Sequence, residues 1–558
     1  MGKPNILLLV LDAARADRFS CYGYHRKTTP NIDRLAQEGT IFLNHYAAAN
    51  ETFPSHVSIF TGIHPYFHGA AVNRSQYDGR YPTIQETLSE LGYQTIGLSY
   101  NPHIAPLRGI TRGFKIYHEI WKREHPEEAH KIWEMEKLEN DNAKESPFWP
   151  SLSQGKHCLR HSYPSKDKRK RGYLRTLIRQ ARKDLIKHLD NIQRFARVPN
   201  FLDALSHPLR KRRKCRKYKR RLEKYDKDKG GKIIINIIKE EIKRCKSENS
   251  NFYIFANLLE PHWPYLPPKG FRNLFHQDEI TSYNALCYLI TKRKLSFTTK
   301  LSPEDWVIIN ALYDAGLVYT DALLGDLFSF MESEGIMNET LIAITSDHGE
   351  LLGEHGLVKH GTGLYEPLIK TPLVVRYPER FKCGHRENRL AQSIDFFPTI
   401  LDLVDAGEKR SSFNHKGISL CPDKLKELED RFIIIDDIKR DGAHTRPELQ
   451  KDANVIERAI ITQKYKYVWS NSGRHRLHNI KEDPLEEKNL YSEDHRPIIE
   501  TLHTKMANWY QEQLSSQQDF DLYRYDYTRA ELDTLPPGAQ RDEVKRLEKM
   551  LKELGYME

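Results

Sequence analysis

Long apolar runs are missing from this chain of 558 residues. The longest, Ile6–Leu11 and Ile233–Ile238, fall far short of the ~20 residues that cross a bilayer and read as buried strands or helix segments. Cysteine is scarce: the seven stand at 21, 158, 215, 245, 287, 383 and 421 with no CxxC pair, which argues against a zinc knuckle or a dense disulfide framework. Nor is there an excess of glycine (30) or proline (28), so collagen-like and low-complexity chains are excluded. A cleavable leader is not evident either. Met1-Gly2-Lys3-Pro4 runs straight into an apolar strand, and Ile6 stands where a myristoylation motif needs Ser or Thr. The expectation is a cytoplasmic protein, with a peripheral membrane location as the alternative. A chain this long can bury a large core without staples and has room for about three or four domains.

What is present in excess is positive charge, and it is concentrated. The net charge is +11, yet residues 151–230 hold 27 Lys and Arg against 7 Asp and Glu, leaving 60 against 69 over the rest. A mildly acidic body therefore carries one very basic segment, densest at Lys211-Arg212-Arg213-Lys214-Cys215-Arg216-Lys217. Such a segment attracts an anionic membrane surface or another polyanion, or it is simply a solvated insertion. No nucleic-acid recognition motif accompanies it, so specific base reading is not expected.

Asn5–Leu11 is a continuous apolar run between Pro4 and Asp12, as in a parallel strand buried on both faces. Gln94–Ser99, Phe252–Leu258, Leu341–Thr345 and Leu373–Arg376 read as further strands. Pro30–Glu38, Ser55–Thr61, Thr83–Leu91 and Pro303–Glu334 read as helices. This alternation predicts an α/β fold with a mostly parallel, doubly wound sheet over residues 1–115 and 251–405. Residues 116–250 read as a basic, mostly helical insertion. Short strands at Phe432–Asp436, Ala459–Thr462 and Tyr465–Trp469 predict a smaller α+β subdomain over 430–515, followed by a tail, 516–558, with a terminal helix.

In open α/β sheets the site lies at the carboxyl ends of the strands. Asp12 ends the first strand, and Asp347-His348 follow Leu341–Thr345. Carboxylates and one imidazole placed this way can share a cation such as calcium, manganese, magnesium or zinc. Taken singly, each is more simply a turn or cap residue. Thr52, in Thr52-Phe53-Pro54-Ser55-His56, puts a hydroxyl beside a helix N-terminus, a place that favours phosphate or sulfate. Beside a cation such a hydroxyl loses its proton more easily and can attack phosphorus or sulfur; alone, it is most simply an N-cap.

Together these segments resemble the sulfatase family of the alkaline phosphatase superfamily. In family order they are Asn5–Asp12, Thr29-Pro30-Asn31-Ile32-Asp33-Arg34-Leu35-Ala36, Thr52–His56 with Thr61-Gly62 and His68-Gly69, and Gly92-Tyr93-Gln94-Thr95. Glu260-Pro261-His262-Trp263-Pro264-Tyr265, Thr345–Glu350 and the late Leu477–Pro484 with Asn489-Leu490 follow. The resemblance covers most of the chain outside the basic insertion and implies a central mixed, mostly parallel sheet flanked by helices. It implies Asp12, Asp347 and His348 as ligands of one divalent metal, with Thr52 completing the shell. His262 would contact substrate or act as general acid for the leaving oxygen. His360 falls near the family's anion-binding Lys or His, with Lys359 competing for the role. Asn101 and His103 stand where the family has Lys-x-His, as substrate-binding groups.

Three departures carry information. Ala13 follows Asp12 where the family repeats Asp, so one ligand is missing. Thr52 replaces the Cys or Ser that the family oxidises to formylglycine, so formylglycine is not expected. Hydrated formylglycine has a second hydroxyl that expels sulfate; a Thr ester has none and must be opened by water or another acceptor. That tilts the expectation from sulfate monoesters towards phosphate mono- or diesters. His56 replaces the Arg that would clamp an oxyanion with a fork of donors, and its role would be substrate binding through fewer bonds. The reading is a metal-dependent ester hydrolase acting on a small anionic ester through Thr52. The alternatives are a strict sulfuric ester hydrolase, a phosphoglycerol- or phosphoethanolamine-type transferase acting on a glycan or lipid headgroup, and a degenerate anion-binding protein.

Overall fold

The computed structural model describes residues 3–70, 76–121, 228–276, 285, 289, 301–406, 415–438 and 456–515. All belong to one unit formed by residues 1–129 and 221–558. Nearly all of the basic segment and the tail after 515 lie outside the described residues.

The chain enters at β1 (Asn5–Leu11) and continues through α1 (Pro30–Gln37), β2 (Thr40–Tyr46), α2 (Thr52–Thr61), α3 (Pro65–His68) and α4 (Ile84–Glu90). It then forms β3 (Gln94–Ser99), β4 (Ile116–Glu119), α5 (Gly231–Ser247) and β5 (Phe252–Leu258). A long α6 (Pro303–Ser333), β6 (Thr340–Thr345), the small ribbon β7 (Leu351–Leu352) and β8 (Val358–Lys359), and α7 (Glu366–Ile369) follow. Strands β9 (Leu373–Arg376) and β10 (His385–Gln392) and helix α8 (Phe396–Leu403) complete the larger part.

Eight strands form one sheet in the order β10-β2-β9-β6-β1-β5-β3-β4. Only β9 runs against its neighbours, so the sheet is mixed and mostly parallel. The apolar runs of β1, β5 and β6 occupy its centre, where both faces are covered; Ile6–Leu11 are each at most 1% exposed. Residues 116–119 and 231–247, at the two ends of the expected insertion, belong to this layer. β4 extends the sheet beside β3, and α5 packs on β5, β3 and α6. Strands β2, β4 and β10 do not stand out in the sequence pattern. β10 (HRENRLAQ) is a polar edge strand with a register shift between Glu387 and Leu390, so it shows no clean alternation.

Helix α6 opens with a Ser302–Asp305 capping box and Pro303 in its first turn. It is long and apolar enough by composition to cross a membrane, although no unbroken apolar run reveals this, and most of that stretch is buried in the fold. Asp314 and Asp321 interrupt the run. Asp314 meets Arg18 and Arg26, and Asp321 accepts the backbone N–H groups of Asn31 and Ile32. The smaller part is a four-stranded antiparallel sheet of β11 (Ile433–Ile438), β12 (Ile456–Ile461), β13 (Tyr465–Ser470) and β14 (Arg476–Asn479), with α9 (Arg496–Ser515) against it. The four cysteines among the described residues are free thiols.

Candidate active site

The carboxyl ends of β6, β1, β5 and β3 lie side by side, and each is followed at once by polar residues. Asp347-His348 follow β6, Asp12 follows β1, Glu260 and His262 follow β5, and Asn101 follows β3. Thr52 arrives from the loop after β2. It is the first residue of α2, with Glu51 as N-cap, so its hydroxyl is not spent on capping the helix as a lone Thr there would suggest. All ten residues of α2 are buried, which fixes Thr52 against the strand ends.

Asp12, Asp347 and His348 form a buried trio whose ligand atoms lie within 4.8 Å of one another. Asp12 Oδ2 accepts hydrogen bonds from Asn101 Nδ2 (2.8 Å) and Asn257 Nδ2 (3.3 Å). Asp347 Oδ1 accepts the N–H of Ala13 (3.2 Å) and of His348 (3.0 Å). The remaining oxygens, Asp12 Oδ1 and Asp347 Oδ2, are buried with no hydrogen-bond partner. His348 Nδ1 donates to Gly349 O (2.8 Å), which leaves Nε2 as an acceptor for the Thr52 hydroxyl at 3.2 Å. Orphaned carboxylate oxygens, an oriented imidazole and a hydroxyl make a donor set that fits one divalent cation, with the imidazole held by its second nitrogen as metal ligands usually are. Burial alone would raise the Asp12 pKa, but in the acid range, where the His262 and His348 rings are protonated, they and the Asn101 amide hold it down to about 2. The carboxylate is therefore ionised and ready for a cation.

A second group faces the first: His262, Glu350 and His360. The His360 ring lies 4.2 Å from that of His348 and 5.1 Å from that of His262. His360 Nδ1 donates to Glu350 Oε1 (3.0 Å). Burial opposes charge on His360, but Glu350 outweighs it and raises the imidazole pKa to about 9. Burial lowers the pKa of His262, whose Nδ1 donates to Trp263 O at 2.7 Å. At neutral pH, then, His360 is a cation, and His262 is neutral with its free nitrogen an acceptor. Of the two rings, His360 therefore carries the proton that the expected general-acid role of His262 would need. Glu350, seen in the sequence only as part of a motif, is what sets the difference.

The fold sends the four expected substrate contacts to different places. His56 is fully buried: its Nδ1 donates to Thr52 O (2.8 Å) and lies 3.6 Å from Asp347 Oδ2, with the rings of Phe60 and Phe255 edge-on. It braces the turn that carries Thr52. Asn101 orients Asp12. His103 lies beside the cluster, close enough for Asp12, His262 and His360 to act on its imidazole, and its Nδ1 accepts from Arg108 Nη2 at 3.4 Å. Lys359 lays its ammonium 4.0 Å over the Trp263 ring, next to His262, while His360 joins His262 and Glu350. The turn after His360 depends on glycine: Gly361 has φ +76°, and a Cβ there would meet Glu51 Oε1 at 2.4 Å. The smaller sheet holds this turn through Asp437, which accepts Gly363 N–H (3.1 Å), and through buried Lys466, bonded to Leu364 O and Glu366.

Comparison with known proteins gives the family and the fold. Residues 4–406 match the family described as Sulfatase, and residues 353–512 match the N-sulphoglucosamine sulphohydrolase C-terminal family. The chain is 23% identical over 514 residues to an N-acetylglucosamine-6-O-sulfatase of Bacteroides thetaiotaomicron, covering 88% of this chain and 83% of that protein. It is 23% identical over 524 residues to an arylsulfatase of Clostridium perfringens, covering 90% and 93%. Its fold is similar to that of the phosphonate monoester hydrolase of Agrobacterium radiobacter, with a TM-score of 0.60, 19% identity and coverage of 91% and 96%. The chain belongs to the sulfatase family of the alkaline phosphatase superfamily, a family of ester-bond hydrolases.

Proposed function

We propose that this protein hydrolyses small anionic phosphate mono- or diesters through a covalent intermediate on Thr52. The observation that carries the reading is Thr52 itself: a buried hydroxyl at a helix N-terminus, 3.2 Å from His348 Nε2 and beside two carboxylate oxygens with no other partner. A divalent cation held by Asp12, Asp347, His348 and Thr52 would neutralise charge there as a Lewis acid.

The Thr52 hydroxyl gives its proton to solvent water, and the oxygen attacks the central atom in line. The N-terminus of α2 and the His360 imidazolium stabilise the negative charge of the reacting group. The bond to the leaving oxygen breaks, and His360 gives that oxygen its proton. Water then attacks the central atom, His262 takes the water's proton, and the Thr52 ester bond breaks, with the Thr52 oxygen taking back a proton from solvent water. A proton passing from His262 to His360 restores the start. The chain's relatives include both sulfatases and a phosphonate monoester hydrolase, and the single hydroxyl of Thr52 favours the phosphorus side because only attack at the central atom can release its ester.

The test is turnover of aryl sulfate, aryl phosphate and bis-aryl phosphate by metal-stripped protein given manganese, magnesium, calcium or zinc in turn. Preference for the phosphorus esters supports the reading. Preference for aryl sulfate refutes it and makes the protein a sulfatase that works without formylglycine.

A further inference from the structure

Lys229 is the least expected residue near the site. It comes from the end of the basic segment, where sequence alone suggests a solvated charge, yet it sits under the loop that carries His262. Its ammonium donates to three main-chain carbonyls: Leu259 O (3.1 Å), Glu260 O (3.2 Å) and His262 O. An ammonium has three N–H groups, so this cradle can use all of them. The loop makes one turn of its own, His262 N to Leu259 O (3.1 Å), and Lys229 bonds the carbonyls on both sides of that turn.

The lysine is itself held firmly. Asp228 accepts the N–H groups of Gly230 (3.3 Å) and Lys232 (2.8 Å) and the Tyr319 hydroxyl (2.9 Å). Gly231 N donates to Glu260 Oε1 (2.9 Å), and a Cβ on Gly231 would meet that same oxygen at 2.4 Å. A side chain at 231 would have to push the Glu260 carboxylate and the Leu323 methyl aside. Lys229 is aimed by a capped helix start and does not hang on a free stem.

We infer that Lys229 is a positioning residue, which acts through the 259–262 loop to place the His262 imidazole for the step that releases the covalent adduct. This rests on the function proposed above. Its charge also faces His262 and helps to keep that imidazole neutral, as an acceptor of the water's proton requires.

The experiment compares Lys229→Met with the wild type and with His262→Ala in two assays. In rapid-mix kinetics with a nitrophenyl ester, Lys229→Met is expected to leave the first release of nitrophenol nearly unchanged. The following steady phase should slow by about 10- to 100-fold, as small misplacements of a catalytic group do. The adduct should accumulate on the peptide containing Thr52, as seen by mass spectrometry. Combining Lys229→Met with His262→Ala should cost no more than His262→Ala alone. Equal slowing of both phases, or additive losses, would overturn the inference. The second assay needs no turnover: amide hydrogen exchange over residues 259–266 should quicken in Lys229→Met while the strands of the sheet keep their protection. Unchanged exchange there would refute the clamp whatever the substrate proves to be. An absence of any Thr52 adduct in every variant, with faster loop exchange, would instead refute the proposed chemistry and, with it, the assigned step. If Lys229→Met does not fold, Lys229→Gln retains a donor and carries the same two expectations in weaker form.

Discussion

Replacing Thr52 by alanine separates chemistry from stability. The side chain is 5% exposed and makes one recorded hydrogen bond, to His348 Nε2 at 3.2 Å. Losing that bond costs about 1 kcal/mol. The main-chain carbonyl of residue 52 still receives His56 Nδ1, and alanine is the better helix former at the first position of α2. Net destabilisation should therefore stay near 1 kcal/mol, a melting shift of a few degrees in a protein of this size. Turnover should fall by about 10⁴-fold or more, the scale seen when a nucleophile is removed. Thr52→Ser, which keeps an oxygen, should retain activity within about tenfold of the wild type. The assay is the steady-state rate on the best ester from the paired-substrate test, with thermal melting of the same samples. Turnover by Thr52→Ala at wild-type speed would show that another group attacks. A collapse of melting temperature alongside lost turnover would show that the hydroxyl is structural and that the local energetics are misjudged.

Chelation should lower the melting temperature, because stripping the cation leaves buried Asp12 and Asp347 oxygens without partners; a cation at 100 times its dissociation constant contributes about 2.7 kcal/mol. Titration back should restore stability at one equivalent, and a second tight equivalent would place an ion on His262, Glu350 and His360. Glu350→Gln should move the alkaline limb of the pH–rate profile down from about 9 towards ordinary histidine values, since the raised His360 pKa keeps the imidazolium present below that limb and loses it above. An unmoved limb would take His360 out of the proton path. Burial holds His45, His64 and His68 down to about 3, so the unfolded chain binds protons that the folded chain excludes. Their stabilising effect is full above pH 6.5 and is lost progressively as pH falls towards 3, at about 1 kcal/mol per unit each. The raised carboxyls of Glu260 and Asp321, near 7 and 6, offset more than half of this, leaving a loss of roughly 1–2 kcal/mol between pH 6 and 5. Urea melts at the two values would measure it, and equal stability would show that these rings are hydrated.

What the amino-acid order determined by itself was the architecture of the sheet centre and the choice of chemical groups. Apolar runs buried on both faces need no partner to be recognised, so the strands at 5–11, 94–99, 252–258 and 373–376 are legible from composition alone. The polar breaks behind them, Asp12, His262 and Asp347-His348, mark the strand ends for the same reason. The edge strands escaped because half-exposed backbone tolerates polar residues, as β10 shows. Only the tertiary structure decided what each polar group faces. Glu350 lies ten residues from His360 in the chain, and their contact at 3.0 Å, made across the β7–β8 ribbon, is what turns that imidazole into a cation, while burial leaves His262 neutral. His56 and Asn101 have the chemistry of ligand-binding groups, but their packing directs them to Thr52 and Asp12. Lys229 belongs by composition to a solvated basic stretch, and only the approach of α5 to β5 brings it under His262. Charge and hydrogen bonding act over a few ångströms, and sequence separation does not report that distance.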